Sequence, residues 1–345
     1  MTPERFLLSR SRSWVVAGAI AAALAVGCAP RAPLPAASSG SGRWELLPAG
    51  EQPTLRHENG YVRVGSRFYL VGGRGSKPVE IFDPATGQWS TGATPPVEMH
   101  HFQAVEYDGK IYVLGAMTGG WPAEPPLPNV YIYDPAADRW SQGPAIPADR
   151  RRGGAGAVVR EGQIYLVAGI QNGHTDGHVA WLDAFDPRTG AWRRLADAPR
   201  ARDHFHAGVI DGKIYAAGGR LSSARPGEGF THTVPEVDVY DLRSGSWSTL
   251  PATANLPTPR AGSTTAVQDG HLLVLGGESG TQEPAHAEVE ALDPRTGRWT
   301  PLAPMAQGRH GTQAVVHEGR LYVAAGSKTR GADEINSQEV FTPRR

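Results

Sequence analysis

Of 345 residues a single one is cysteine, Cys28, so no disulfide can staple this chain to itself. Net charge is missing as well, since 34 basic residues balance 34 acidic ones. Without a basic field, nucleic acid and direct binding to an anionic membrane surface are argued against for the domain as a whole. The charge-free apolar stretch at residues 14–26 has thirteen residues, against the roughly 20 that a membrane-spanning helix needs. Neither a phosphate-cradling loop, a dinucleotide fingerprint nor a nucleophile–base signature occurs.

Glycine and proline are plentiful instead, at 43 and 29 residues, which suits a chain that turns every few residues. Residues 202–247 show the pattern. Arg202-Asp203-His204-Phe205-His206-Ala207-Gly208-Val209-Ile210 runs into Asp211-Gly212, and Lys213-Ile214-Tyr215-Ala216-Ala217 runs into Gly218-Gly219. After a long loop come Val237-Asp238-Val239-Tyr240-Asp241, a tight turn ending at Gly245, and Trp247. Asp-Gly between two short apolar runs signals a hairpin, because both central residues of a type I′ turn need φ > 0. The segment reads as short antiparallel strands with no helix.

This text recurs. The second strand ends in Gly72-Gly73, Gly115-Ala116, Ala168-Gly169, Gly218-Gly219, Gly276-Gly277 and Ala325-Gly326, and tryptophan follows the third strand at 89, 140, 192, 247 and 299. A period near fifty residues with four strands per unit marks a propeller of stacked blades. Asp-Gly-x-Ile-Tyr-x-x-Gly-Gly at 211–219 and Phe-Asp-Pro-x-Thr-Gly-x-Trp at 82–89 and 185–192 resemble the kelch family. The resemblance covers residues 43–345 and implies an all-β, six-bladed kelch-type β-propeller of four-stranded blades. One fold hosts many activities, so it implies little about function.

Six copies of the second strand give six blades. The last copy reaches Glu339-Val340-Phe341-Thr342-Pro343 and lacks a fourth strand, whereas Arg43-Trp44 matches Arg298-Trp299 at the outer strand of the preceding unit. Residues 43–48 are therefore expected to close the ring as the outer strand of the sixth blade. The tryptophans, and tyrosines such as Tyr69, Tyr165 and Tyr215, read as packing between blades.

Ahead of the propeller, Arg5, Arg10 and Arg12 precede the apolar stretch as in a secretory leader over residues 1–27. Leu24-Ala25-Val26-Gly27-Cys28 resembles a bacterial lipobox, which implies a lipid on Cys28 and an exported protein anchored in the cell envelope, on its periplasmic or cell-surface side. The alternative is a soluble secreted chain cut nearby. Residues 28–42, rich in Pro, Ala, Ser and Gly, read as a flexible tether. The membrane is thus expected as a partner only through Cys28.

Function is expected where the start of the first strand meets the loops between the second and third strands. Those loops, at 117–129, 170–180, 220–235 and 278–287, are long and different in each blade, and loops on a rigid scaffold concentrate binding residues. Aligned on their turns, the entries to strand one place Arg56, Met99, Arg152, Arg202, Arg260 and Arg309 in one column. The next column holds His57, His100, Gly153, Asp203, Ala261 and His310, and the one after it Glu58, His101, Gly154, His204, Gly262 and Gly311. Converging guanidiniums suit a carboxylate, and in BTB-kelch adaptors arginines at similar strand entries contact acidic peptides. The expected ligand set is Arg56, His57, His100, His101, Arg152, Arg202, His204, Arg260, Arg309 and His310, for an acidic small molecule or protein partner. The competing reading pairs each arginine with a neighbouring blade's third-strand acid, from Glu80, Asp183, Asp238, Glu290 and Glu339.

His204-x-His206, with His174, His178 and His232 on nearby loops, raises a metal site, but no second spacing closes one, and neither a metal nor another cofactor is expected. Galactose-oxidase-like copper chemistry needs a cysteine that this propeller does not have. The kelch resemblance also admits a sialic acid mutarotase, with Asp203, His204 or His101 carrying the proton, and a purely structural scaffold of the cell envelope.

Overall fold

The computed structural model describes residues 41–47 and 53–344. The expected leader, the expected lipidation at Cys28 and the expected tether as far as residue 40 lie outside the described residues. Six four-stranded antiparallel sheets follow one another along the chain. Blade four is Ala207–Ile210, Lys213–Ala216, Asp238–Asp241 and Ser246–Thr249 in that spatial order. Among the described residues there is no α-helix, only two short 3₁₀ turns. The sixth blade is composite: Gly42–Leu46 pairs antiparallel with Gln338–Pro343, from Gly42 opposite Pro343 to Leu46 opposite Glu339. The ring closes between the two ends of the domain, as the repeat count requires.

The turns have the backbone that their residues demand. Asp211 and Gly212 have φ of 48° and 73°, both left-handed, which is the type I′ geometry of a two-residue hairpin. In Asp83-Pro84-Ala85-Thr86-Gly87 the glycine takes φ of 73°. The copy at residues 134–138 puts Asp138 there at φ 44°. Its carboxylate accepts hydrogen bonds from the Tyr133 hydroxyl at 2.6 Å and the Ala93 amide at 2.7 Å, which offsets the strain.

Neighbouring blades share each core. In the second strand of blade one, Phe68 and Leu70 pack with Tyr322 and Val340 of blade six, while Tyr69 and Val71 pack with Ile111 and Val113 of blade two. Successive side chains of a strand point to opposite faces, so a sheet buried on both faces serves two cores at once. The same alternation sends Ile164 and Leu166 to one neighbour and Tyr165 and Val167 to the other. The tryptophans bridge the joints: the indole N–H of Trp247 donates to the Ala196 carbonyl at 2.7 Å, and that of Trp299 to Ala254 at 2.8 Å.

The arginine column proves to be part of this framework, and the expectation that these arginines line a ligand site is corrected. Arg56, Arg152, Arg202, Arg260 and Arg309 are at most 2% exposed. Each is ion-paired with an acid on the third strand of its own blade, not of a neighbour: Glu80, Asp183, Asp238, Glu290 and Glu339 respectively. Each guanidinium also donates to the carbonyl of the first residue of its blade's Gly-Gly pair, as Arg260 does to Gly276 at 2.6 Å. In four of the five, Arg56, Arg202, Arg260 and Arg309, the backbone carbonyl also receives the N–H of the preceding blade's second glycine, as Arg309 does from Gly277 at 2.9 Å. A buried cation needs this set of partners. The arginine ties its own blade together through its side chain and, in those four, ties two blades together through its backbone.

Candidate functional site

Two residues beyond each arginine the chain turns toward the channel. Glu58, His101, Gly154, His204, Gly262 and Gly311 all have left-handed φ, between 53° and 65°. Their backbones are bonded blade to blade. His101 N–H donates to Glu58 at 3.1 Å, Gly154 to His101 at 2.8 Å, and His204 to Gly154 at 2.8 Å. Gly262 donates to His204 at 2.6 Å and Gly311 to Gly262 at 2.9 Å, and Asn59 closes the circle on Gly311 at 3.2 Å. Glycine adopts this conformation freely, whereas a residue with a Cβ is strained in it by about 1–2 kcal/mol. Glu58, His101 and His204 are thus side chains held at a cost on a ring that glycine would fit better, which is how functional positions often present themselves.

Above the ring, on the face of the loops between second and third strands, lies a cavity of about 450 Å³. Its lining combines polar groups (Glu58, His101, His174, Arg220 and Glu278) with Trp121 and Phe230. Trp121 is 63% exposed. Phe230 lies between the guanidiniums of Arg220 and Arg330, 5.5 and 5.6 Å from its ring centre.

The residues after the Gly-Gly pairs form a column that was missed from the sequence, Arg74, Met117, Ile170, Arg220, Glu278 and Ser327, and of these Arg74, Arg220 and Glu278 line the cavity. Arg220 pairs with Glu278 at 2.5 Å, and Arg74 with Glu124 at 2.6 Å. The signal was there, since the column is read from the same alignment one residue past the glycines. It varies from blade to blade as the arginine column does not.

The expected histidines are found at this face. His57 lines the cavity and its Nδ1 lies 2.9 Å from Glu334. His310 is buried between Glu58 and Glu278, 3.5 and 3.4 Å away; burial opposes its charge, yet the two acids raise its pKa above the ordinary histidine value. His100 is fully buried and contacts His101, Nδ1 to Nδ1, at 2.6 Å. Of the proton carriers considered, His101 lines the cavity, and burial keeps its pKa well below the ordinary value. Asp203 lies deeper, fully enclosed, accepting from the Ser222 amide at 3.1 Å and contacting His204 Nδ1 at 2.5 Å. Burial works to raise its pKa, but hydrogen bonds from His204 and Ser222 and the charge of Arg220 bring it down to about 2.

Sequence spacing gave no closed metal site, but folding brings one ring nitrogen from each of His101, His174 and His204 within 4.8 Å of the others. The three come from blades two, three and four, so no local motif announces them. The other histidines considered stand elsewhere: His178 contacts the Ser222 carbonyl at 2.8 Å, His206 contacts Thr264 at 3.2 Å, and His232 is half exposed beside Glu228.

Known proteins share this architecture. The chain is 29% identical over 348 residues to Kelch-like protein terF of Aspergillus terreus, covering 93% of this chain and 72% of terF. It is 26% identical to human Kelch-like protein 23 over 83% of this chain, but that is only 48% of the relative's length. Kelch-like protein 25 of Xenopus tropicalis, 25% identical over 75% of this chain, is likewise spanned over 42% of its length. The solved structure of YjhT superposes with a TM-score of 0.69 over 84% of this chain and 95% of its own, at 16% identity, a likeness of fold. The Attractin/LZTR1 β-propeller family model matches residues 38–284. The chain therefore belongs to the Attractin/LZTR1 β-propeller family, a propeller of the kelch type.

Proposed function

We propose that this propeller is a ligand-binding protein whose site is the loop-face cavity, and that the ligand is a small, hydroxyl-rich molecule of sugar size. The cavity carries the reading: about 450 Å³ falls within the roughly 300–1,000 Å³ of small-molecule sites, which combine apolar walls with a few placed polar groups. Trp121 offers an exposed aromatic face that can stack on an apolar ring face, and the floor offers donors and acceptors together.

An acidic ligand finds less support than the arginine column suggested. Those guanidiniums are committed to the blades. Among the described residues around the floor, Arg74, Arg220 and Lys77 are already paired with Glu124, Glu278 and Glu334, and Glu58 and Asp203 add further negative charge. An acidic sugar would need a further positive centre. The same proposal sets this binding at the cell envelope, a reading supported by the likeness of residues 1–28 to a secretory leader ending in a lipobox.

Titration calorimetry with neutral and acidic sugars tests the reading, on wild type and on Trp121→Ala. Saturable binding weakened several-fold, to about tenfold, in the variant is expected, since a lost stacking contact is worth about 0.5–1.5 kcal/mol. Absence of binding, or binding that ignores Trp121, would overturn it. Mutarotation is the second reading, favoured by the buried, weakly basic imidazole of His101 at the cavity floor. It requires anomer exchange at catalytic protein concentration and loss of that exchange in His101→Gly.

A further inference from the structure

We propose that His101, His174 and His204 form a three-histidine site for a divalent transition-metal ion at the floor of the cavity, with Zn²⁺ the ion that suits the donors best. This goes beyond the ligand-binding reading and stands without it. The argument runs through hydrogen positions. His100 Nε2 lies 3.0 Å from the Gly119 carbonyl, which can only accept, so Nε2 carries the hydrogen. In the neutral ring Nδ1 is then a bare lone pair, and it lies 2.6 Å from Nδ1 of His101. The hydrogen between them therefore belongs to His101 Nδ1, which leaves His101 Nε2 as a lone pair.

The same reasoning applies across the channel. His204 Nδ1 lies 2.5 Å from the Asp203 carboxylate, so Nδ1 is the donor. Its Nε2 is buried and has no hydrogen-bond partner. His101 Nε2 has a carboxylate oxygen of Glu58 3.6 Å away, and Glu124 stands 3.1 Å from His174 Nδ1. Around the three rings acceptors thus lack nearby donors, His204 Nε2 among them, and buried acceptors without a donor are costly. A cation resolves the conflict. A metal ion takes the lone pairs as they are, without any donor.

The surroundings match those of metal-bound histidines. A ligating imidazole usually donates its other N–H to a carboxylate, which fixes ring and tautomer. Asp203 does this for His204, and His100 plays the corresponding part for His101. Three neutral imidazoles suit Zn²⁺ or Cu²⁺ better than Mg²⁺ or Ca²⁺, which prefer oxygen. One ring nitrogen of each histidine lies within 4.8 Å of the others, and the three must close to about 3.3 Å apart, by up to about 1.5 Å, to share a tetrahedral ion at about 2.0–2.1 Å from each. His174 sits on a two-stranded ribbon, Ile170–Asn172 with Asp176–His178, outside the blade sheets. His101 and His174 line the cavity, so the remaining coordination position opens on it and would give a ligand oxygen the positive centre that the paired arginines do not supply.

The test is titration of the full chain, freed of metal by chelator, with Co²⁺ followed by Zn²⁺, with no sugar present. One Co²⁺ per chain with the visible absorption of a four-coordinate ion, displaced by equimolar Zn²⁺, is expected. His204→Gly keeps a residue suited to the left-handed backbone, as at Gly154 and Gly262, and His174→Ala alters only the ribbon. Each should weaken binding about 100-fold, and Asp203→Asn about tenfold. His232→Ala, outside the cluster, should leave it unchanged. No saturable binding of either ion, binding that survives both His174→Ala and His204→Gly, or binding lost in His232→Ala would overturn the proposal. Circular dichroism identifies any variant that fails to fold, and His174→Ala then decides alone.

Discussion

Arg260 and Glu290 are 30 residues apart in sequence and 2.6 Å apart in the propeller, both at most 1% exposed. The same pair recurs in five blades. A buried ion pair contributes little by itself, but removing one partner strands a charge in the interior, at about 3–5 kcal/mol. Arg260→Met should therefore destabilise the domain by that amount in urea denaturation and leave ligand affinity at the loop face unchanged. Arg260→Met with Glu290→Leu should recover much of the loss. A single variant as stable as wild type would show that the pair is not structural.

The fold was legible in the text, and the site only in part, for a related reason. A residue that recurs from blade to blade answers a need that recurs with it, such as a left-handed turn at Gly87 or a buried clasp at Arg260. Repetition therefore reported architecture, and the arginines were its most repeated charged feature. The site is assembled from one or two residues per blade at positions where the blades differ, Glu58, His101 and His204 in one column and Arg220 and Glu278 in another. Their meeting depends on ring closure, which no spacing along the chain encodes. His174 was visible only as a loop histidine because its partners come from other blades.

The closing strands make a second prediction. Gln338–Pro343 is hydrogen-bonded on one side to Arg320–Ala324 and on the other to Gly42–Leu46. Val340 and Phe341 are fully buried in the cores shared with blades one and five. Deleting residues 338–345 removes both pairings and opens two cores, so the domain should lose its cooperative thermal transition altogether. A deletion variant that melts as wild type does would refute closure by these strands.

Stability toward acid has a named contributor in Glu334. Its carboxylate lies 2.9 Å from His57 Nδ1 and 3.0 Å from Lys77 Nζ, linking the last loop to blade one. Burial tends to raise its pKa, but these two bonds lower it from 4.5 to about 2. The folded value is below the unfolded one. Its contribution is therefore present above about pH 4.5 and disappears as pH falls toward 2. Glu334→Gln should cost about 1 kcal/mol at pH 7, the pair being partly screened by solvent. The gap to wild type should narrow steadily as urea denaturation is repeated from pH 5 down to pH 3. A gap independent of pH would show that the carboxylate charge is not what holds the loop.

Gly311 stands next to Glu58 where the ring closes. Its φ is 65°, and a Cβ added there would stand 2.7 Å from Glu58 Oε1 and 2.9 Å from the Glu58 backbone nitrogen. At Gly154 the φ is similar, 59°, but the nearest atom, the His204 nitrogen, is 3.2 Å away. Gly154→Ala therefore carries mainly the left-handed strain, about 1–2 kcal/mol. Gly311→Ala carries that strain and must also push back Glu58, whose backbone is fixed by the hydrogen bond from His101. Gly311→Ala should be the more destabilising of the two in urea denaturation. It should also weaken any ligand or metal that uses the Glu58 side of the cavity, whereas Gly154→Ala acts on the His204 side. Equal stability losses in the two variants would mean that the ring yields locally and that Glu58 is not held where the geometry places it.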